Sequence, residues 1–529
     1  MPARYSDAGG ARVCPKSSML RNKDVLWPLA AAILLAAPLW CVDMPGMPDY
    51  PAHLASFALI AGEPSRYYYV QWAALPNLAS EVLVPLLGRL MPLETATRLF
   101  LTAAIVLWVL GPALIQRALF GRIGPGVLLA ALFAYNANFV WGFFNYSFAT
   151  ALAFCVFAAW IATDARRSAL HLAGFALAFT LIYFSHLFAF AVLLLAIGGY
   201  ELPALIDARF ARRDIARRVV VPVALSLPAA LAFVLLKPHG ADAGNFAFDL
   251  LDTLRDRFEA AIQIGFDHPV LPLTAALIVL FVWAVASGRA AVHPRMKIAL
   301  AIFALAALFA PEWALGGWGV HMRLPPVLGA LAFAALEWRV PRPARIAAAA
   351  VTLLLIGAGA VALTRDWQVH DRQYTEFRAH DAAVEAQGRL LTVLDGDSLG
   401  WTSDQPYWHL AEFAVIDRGV FTPLMFATAG QHVVHIRPPF GRIAAATAQQ
   451  GSPPDVDELD DLAAGRMEAD EDYRAVYPYL EGFQCHFDQV LAIEGAGRHA
   501  RVPAMLRLRL AASFFRLYDV VPDKSCKPQ

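Results

Sequence analysis

Charged residues are scarce in this chain. Asp, Glu, Lys and Arg make up only 16% of the 529 residues, whereas hydrophobic residues make up 58%. About a quarter of the residues of an ordinary soluble domain are charged, so the composition excludes that class. The 43 basic residues equal the 43 acidic residues, and a formal net charge of zero gives no reason to expect a nucleic-acid partner. The sequence also shows no internal repeat or low-complexity tract.

Long apolar runs are abundant instead. Runs of about 17 to 22 residues recur between positions 24 and 363, close to the length that a helix needs to cross a bilayer. We predict an α-helical polytopic membrane protein with about 11 transmembrane helices. The predicted spans are residues 25–42, 95–115, 124–140, 142–163, 168–184, 186–206, 219–236, 270–286, 297–314, 324–338 and 345–363.

Lys and Arg residues are concentrated in alternate loops. They occur in the N-terminal tail and at 117–122, 166–167, 209–218, 289–297 and 339–345. The positive-inside rule places these segments in the cytoplasm. Residues 1–24 are then a cytoplasmic tail and residues 25–363 a transmembrane domain. An odd number of spans places residues 364–529 outside, as an extracytoplasmic soluble domain.

The first outer loop, at residues 43–94, is long. Residues 77–92 are almost apolar enough to cross the membrane, but a crossing there would move the basic residues at 117–122 and 166–167 to the outside. We therefore predict an amphipathic helix at 77–92 that lies on the outer surface, and a second short helix near 52–62.

The C-terminal region has a mixed composition that predicts an α/β or α+β fold. Short apolar runs at 390–394 and 433–436 indicate strands, and residues 367–387 indicate a helix. Cys485 and Cys526 both lie in this region. They are able to pair if the outer compartment is oxidising, but two cysteines alone leave the question open.

Asp43, Asp49 and His53 follow the first span, in a segment with prolines at 45, 48 and 51. Proline does not continue a helix, so these ionisable side chains are expected in a loop where the hydrocarbon ends. That position suits chemistry on a substrate that is carried by a lipid.

Further polar residues fall at the outer ends of the predicted spans. They include Asn145, Tyr146, His186, Glu312, His321 and Arg323. Each has an ordinary explanation when taken alone, such as a helix cap at Asn145 or a hydrogen-bonded histidine at His186. As a group they predict one outward-facing cavity, because ionisable residues near a bilayer are costly and usually mark a site.

Four features of this chain together resemble the GT-C superfamily of integral-membrane glycosyltransferases. They are a first span that ends in an acidic motif, a long first outer loop with two juxtamembrane helices, many further spans, and an outer C-terminal domain. The resemblance covers residues 25–363. It implies that an acidic residue of the first outer loop is the catalytic base and that the donor is a sugar on a polyprenyl phosphate. The paired Asp-Glu of the best-known members does not occur here, and the sugar and the glycan or lipid acceptor stay open.

The residues themselves fit an inverting sugar transfer, which needs a base near the acceptor hydroxyl and positive charge near the departing phosphate. Asp49, or else Asp43, would be the base, with His53 orienting the carboxylate. Arg323 beside His321 would hold the phosphate, or else extend to the outer lipid headgroups. His186, Asn145, Tyr146 and Tyr69 are further candidates for substrate binding. Tyr69 would stack on a sugar, although an interfacial aromatic belt explains it equally well.

Three alternatives remain open at this point. Asp43, Asp49 and His53 form an incomplete ligand set for a divalent metal, Mg²⁺ or Mn²⁺. A lipid or glycan transporter would also be polytopic, and a non-catalytic membrane scaffold would present the outer domain. The expected location is a bacterial inner membrane, with the C-terminal domain in the periplasm.

The charge asymmetry predicts the topology of the chain. A reporter fused at Arg213 should be active only in the cytoplasm, and one fused at Gly388 only outside, because basic loops stay inside. Fusions with paired cytoplasmic and extracytoplasmic reporters at both positions measure this. Cytoplasmic signals from both would rule out the odd number of spans.

Overall fold

The computed structural model describes residues 22–164, 168–236, 247–251, 253–266, 268–315, 317–395, 405–428, 430–444, 452–467, 474, 477–494, 501–522 and 526. Most of the predicted cytoplasmic tail lies outside these residues. The described chain is mainly helical, with a smaller β-sheet region near the C-terminus.

The helices begin and end as follows. They are α1 (Asn22–Ala36), α2 (Tyr50–Ala61), α3 (Ala79–Gly88), α4 (Leu93–Phe120), α5 (Leu128–Ala131), α6 (Ala137–Trp141), α7 (Phe144–Ala162), α8 (Ala169–Ser185), α9 (Leu187–Asp207), α10 (Arg212–Ile215), α11 (Val221–Leu235), α12 (Leu254–Glu259), α13 (Leu271–Ala286), α14 (Met296–Phe309), α15 (Val320–Ala334), α16 (Arg342–Ala379), α17 (Glu412–Arg418), α18 (Val456–Ala463) and α19 (Phe483–His486).

The strands are short. They are β1 (Tyr68–Val70), β2 (Ala290–Val292), β3 (Leu336–Trp338), β4 (Leu390–Asp395), β5 (Val434–Ile436), β6 (Gln489–Glu494), β7 (Leu506–Ala511) and β8 (Phe515–Val520). The predicted strands at 390–394 and 433–436 are confirmed as β4 and β5.

Within the described ranges, five helices are long and apolar enough to cross a membrane. They are Leu93–Phe120, Phe144–Ala162, Leu187–Asp207, Arg212–Leu235 and Arg342–Ala379. Helices such as α11, α13 and α16 also expose large apolar side chains, among them Val234, Val279 and Leu354 at 72%, 66% and 73%. Apolar surface of this extent needs a lipid or protein cover, so the chain is a membrane protein.

The other predicted spans coincide with shorter apolar helices, and the count of eleven stays a prediction. The predicted span at 124–140 is not one helix. It consists of short α and 3₁₀ segments separated by an extended turn at Tyr135–Asn136. The side chain of Asn136 caps the last of these, α6, and also donates to the carbonyl of Phe133, so the interruption has its own hydrogen bonds.

Segments that the charge pattern assigns to one side meet at one end of the helices. Strand β2 in the loop after α13 pairs with β3 at the end of α15. Arg122, which follows α4, forms an ion pair with Glu337 in β3 at 3.1 Å. These contacts agree with the predicted alternation of loops.

Helices in the first outer loop are confirmed near both predicted positions, as α2 and α3. The loop also contains β1, whose residues Tyr68 and Val70 pair with Ile436 and Val434 of β5 in the C-terminal region. Helix α2 packs against α17 of the same region. The first outer loop and the C-terminal region therefore form one joined structure.

The helix predicted at 367–387 is confirmed for residues 367–379, but these residues continue α16 and do not form a separate helix. Helix α16 runs without a break for 38 residues, through the predicted domain boundary at 363–364. Trp367 and Tyr374 keep one face of the extension buried, and Arg378 near its end pairs with Asp417 of α17 at 2.8 Å. The apolar span and the polar extension differ in composition, which predicts two elements. The helical backbone nevertheless continues through both.

The C-terminal sheet has the strand order β4-β6-β8-β7, with β4 and β6 parallel and the other pairs antiparallel. Cys485 beside this sheet forms a disulfide with Cys526, with a Cα–Cα distance of 5.2 Å. The pairing that the sequence left open is present in the structure.

The disulfide predicts a test of compartment and stability. Both thiols should resist maleimide until a reductant is added, and Cys485→Ser should lower the stability of the C-terminal region by about 4 kcal/mol, because it opens a loop of 41 residues. Thermal unfolding and labelling followed by mass spectrometry measure the two effects. The exposed Cys41 is the internal labelling control. Labelling of Cys485 in the protein from untreated cells would contradict the pairing.

Candidate functional site

Asp49 precedes α2 and lies against the turn between α6 and α7. Its backbone N–H donates to the carbonyl of Trp141 at 3.1 Å. Gly142 has a φ of +102°, and a Cβ there would lie 2.9 Å from the Cβ of Asp49. Only glycine fits both this backbone conformation and this close approach. The position of Asp49 is thus set by two segments far apart in sequence.

The loop before Asp49 is held by α16. Both carboxylate oxygens of Asp371 accept backbone N–H groups of the loop, from Asp43 at 3.2 Å and from Met44 at 2.9 Å. Gly46 packs against the ring of His370. These contacts and the three prolines fix a segment that would otherwise be mobile.

The Asp49 carboxylate is only partly exposed. It makes no capping hydrogen bond to α2, and none of the described residues donates to it. Burial raises the pKa of Asp49 from 3.8 to about 7, although the nearby charge of His409 lowers it. A carboxylate that titrates near neutral pH and keeps free acceptor sites suits a general base.

Asp43 lies elsewhere. Its side chain is 84% exposed and pairs with Arg98 at 3.5 Å. It therefore lies at the protein surface, as an ordinary ion pair.

His53 lies one turn after Asp49 in α2 and is buried. Its ring stacks on Phe144 at a centroid distance of 4.4 Å, and its Nδ1 has no hydrogen-bond partner among the described residues. Burial, together with the charges of His432 and His409, lowers the pKa of His53 to about 3. The imidazole is consequently neutral.

The three residues considered for a metal do not form a ligand set. Asp43 faces Arg98, and His53 is stacked on phenyl rings. In the part of the chain that the structure describes, no group of three or more His, Cys, Asp or Glu side chains is arranged to hold a metal ion.

Three histidines surround Phe426 beside Asp49, and the sequence analysis missed two of them. His409 and His432 come from the C-terminal region, and their rings lie 4.9 and 5.1 Å from that of Phe426. His53 lies 5.1 Å from the same ring. No local motif marks His409 or His432, because they reach the site only when the C-terminal region packs on α2.

Three tryptophans pack together next to Asp49. The ring of Trp141 lies 5.1 Å from that of Trp318 and 6.3 Å from that of Trp408. Trp318 donates from Nε1 to Glu312 at 3.0 Å. These rings come from three separate parts of the chain, and aromatic faces of this kind suit the apolar faces of sugar rings.

Arg323 in α15 is buried behind these tryptophans. Its Nη2 donates to the carbonyl of Trp318 at 2.9 Å, while Nε and Nη1 have no hydrogen-bond partner among the described residues. The guanidinium lies over the rings of Phe188, Phe143 and Tyr146, at 4.5, 5.4 and 5.4 Å. A buried cation with unused donors is costly, which marks it as a candidate for binding an anion.

Three of the other predicted binding residues lie around Arg323. Tyr146 donates its hydroxyl to the Arg323 carbonyl at 2.7 Å, and His186 packs against Tyr146 and caps α9 through Phe188. His321 is buried without a hydrogen bond from either ring nitrogen to the described residues, and its Nε2 is 3.7 Å from Asp256. The structure thus brings His186, His321, Tyr146 and Arg323 to one region.

Asn145 has a different neighbour, which the sequence analysis did not identify. Its Nδ2 donates to Glu81 of α3 at 2.8 Å, and its Oδ1 accepts the N–H of Ser80 at 2.6 Å. Burial raises the pKa of Glu81 to about 6, although the hydrogen bond from Asn145 lowers it. Asn145 therefore anchors α3 to α7 through a buried carboxylate.

Tyr69 does not join the residues around Asp49. It lies on β1, stacks on His435 at 5.4 Å and is 36% exposed. Its place is on the outer surface of the joined loop and C-terminal region.

No protein-family model matches the sequence, and no curated protein matches it significantly. Two solved structures have a similar architecture. One is ArnT from Cupriavidus metallidurans bound to undecaprenyl phosphate, with 12% identity and a TM-score of 0.47, over 96% of this chain and 99% of that chain. The other is the arabinofuranosyltransferase AftD from Mycobacteria, with 17% identity and a TM-score of 0.49, over 96% of this chain and 40% of that chain. Both scores are below 0.5, so neither similarity carries weight for the function.

Proposed function

We propose that this protein is a GT-C-type membrane glycosyltransferase that moves a hexosyl or pentosyl group from a polyprenyl-phosphate donor to an extracytoplasmic glycan or lipid acceptor. One observation carries the proposal. A carboxylate with raised pKa and a buried guanidinium with unused donors both contact the same turn, at residues 141–143.

Both groups contact this turn directly. The backbone N–H of Asp49 donates to the carbonyl of Trp141, and Asp49 touches Gly142. Arg323 lies over the ring of Phe143 and donates to the carbonyl of Trp318, whose ring packs on Trp141. A substrate that lies along the tryptophans is therefore able to face both groups.

The chemistry follows from this arrangement. Asp49 accepts the proton of an acceptor hydroxyl, and that oxygen bonds the anomeric carbon of the donor. The bond between the anomeric carbon and the phosphate oxygen breaks, and the lipid phosphate leaves with the electron pair. Arg323 offers two donors for the charge that grows on the phosphate. Transfer by this route inverts the anomeric configuration.

We place the site on the outer face of a bacterial inner membrane, with the N-terminus in the cytoplasm and the C-terminal region in the periplasm. The Cys485–Cys526 disulfide supports this placement, because disulfides persist in oxidising compartments. The basic loops at the opposite end of the helices support the same orientation. The polyprenyl chain of the donor would then lie in the lipid beside α15.

Substitution of the two carboxylates tests the base. Asp49→Asn keeps the shape of the side chain and removes the proton acceptor, so transfer should fall about 10² to 10⁴-fold. Asp43→Asn is the matched control and should have a much smaller effect, because Asp43 is exposed and paired with Arg98. Release of lipid phosphate from radiolabelled polyprenyl-phosphate sugars by the purified variants measures both.

The pH dependence provides a second readout of the same role. Activity should fall as the pH drops through about 7, because a base is lost when Asp49 takes up a proton.

For the two substitutions, the reverse order of effects, with Asp43→Asn the more damaging, would transfer the role of the base to Asp43. Full activity of both variants would exclude this loop from catalysis and favour a transporter or a scaffold.

Substitution of Arg323 tests phosphate binding. Arg323→Gln should weaken the affinity for the donor lipid about 10 to 100-fold, the typical cost of a lost hydrogen bond to a charged group. Lys should restore only part of it, because an ammonium lacks the two parallel donors of the guanidinium. Arg98→Gln is the control, since the guanidinium of Arg98 already has partners, in the carboxylate of Asp43 and the carbonyl of Val42. Normal donor affinity in Arg323→Gln would mean that the phosphate is held elsewhere.

A further inference from the structure

A buried ion pair lies next to Asp49 and has no part in the reaction as described above. His409 Nδ1 is 3.6 Å from Oε1 of Glu412, and both side chains are buried, at 3% and 0% exposure. His409 lies just before α17, and Glu412 is the first residue of that helix, which packs on α2. A buried ion pair is weak evidence for stability, so its place beside the candidate base calls for another explanation.

Glu412 is fixed by the C-terminal region. Its Oε1 accepts a hydrogen bond from the hydroxyl of Thr422 at 3.0 Å. The backbone N–H of Thr422 donates to the Tyr68 hydroxyl at 2.9 Å, and that hydroxyl donates to the Thr422 carbonyl at 3.1 Å. Tyr68 belongs to β1 in the first outer loop. The carboxylate that faces His409 is consequently held from the loop and from the C-terminal region together.

We propose that His409 is a positioning residue for Asp49: its imidazolium, paired with Glu412 where α17 packs on α2 and set against the same Phe426 ring as His53, keeps Asp49 ionised for the transfer. This inference rests on the proposed function, because it assigns to the C-terminal region a part in that reaction. The C-terminal region then takes part in the reaction, because it completes the environment of the base.

The groups that face His409 support a cation there. Burial by itself would lower the pKa of His409, but the negative charges of Glu412 and Asp49 raise it. His53 and His432 are the other imidazoles around Phe426, and burial lowers their pKa values to about 3 and about 4. Tyr68, on β1, has its pKa raised by burial and is neutral. Among the described imidazoles around Phe426, His409 is the one whose pKa is raised, which favours its charged form over those of His53 and His432.

The charge of Asp49 is measured directly by infrared spectroscopy of the purified full-length protein. The carbonyl stretch of protonated Asp49 is identified as the band that Asp49→Asn removes, and its midpoint should lie near pH 7. In His409→Gln the midpoint should rise by about 1 pH unit, because a neighbouring opposite charge has been removed. His432→Gln is the matched control: it is equally buried against Phe426 but neutral, so the midpoint should not move.

The catalytic consequence is a shift of the acid limb of the kcat profile. His409→Gln should move that limb upward by the same amount, about 1 pH unit, with about a fivefold loss of kcat at pH 7. At a pH well above the new midpoint, kcat should recover. A merely structural role of His409 would lower kcat at every pH.

Glu412→Gln is the second variant if His409→Gln does not fold. It removes the carboxylate that stabilises the imidazolium, so the midpoint of Asp49 should rise in the same direction. An unchanged midpoint in both variants overturns the inference even if sugar transfer is found. A shifted midpoint without any sugar transfer by the natural protein overturns the proposed function and leaves the role of His409 as the control of the Asp49 charge.

Discussion

The hydrogen bond between the Asp49 N–H and the Trp141 carbonyl is the contact on which the site depends. It joins the beginning of the first outer loop to the turn between α6 and α7, where Gly142 leaves no room for a side chain. This bond fixes the backbone of Asp49 beside Trp141, which packs on Trp318 and Trp408, and one turn before His53, which contacts Phe426. A shift of either segment would separate Asp49 from these residues.

Buried charges are treated differently at the two ends of the helices. At the end with the basic loops, the carboxylates of Glu201 and Asp164 are paired. Arg295 donates to Glu201 at 2.6 Å and to Asp164 at 2.8 Å, and Trp160 donates to Glu201 at 2.8 Å. These bonds satisfy the buried groups and hold α7, α9 and α14 together.

At the opposite end, Asp49, His321 and Arg323 keep donors or acceptors without partners among the described residues. Native structures leave few buried polar groups unsatisfied. Glu201 and Asp164 have partners within the protein, whereas the proposed substrate would supply the partners that Asp49 and Arg323 lack.

The C-terminal region is a structural part of the site. Arg378, at the end of α16, bonds Asp417 of α17 with two donors at 2.8 Å each, and Glu94 of α4 at 3.2 Å. Together with the β1–β5 pairing, these bonds hold α17 against α2. His409 and Glu412 are therefore positioned near Asp49 by contacts between segments that are far apart in the sequence.

The sequence by itself determined the class of protein, the approximate places of the helices, the two strands at 390–394 and 433–436, and the acidic loop with Asp49. These follow from local composition and periodicity, which neighbouring residues carry. It did not separate the exposed Asp43 from the partly buried Asp49, nor find His409, Glu412 and Glu81, nor show that α16 continues past residue 363. Only the tertiary structure decided these points, because burial and charge pairing depend on segments that are hundreds of residues apart and meet only when the first outer loop packs against the C-terminal region.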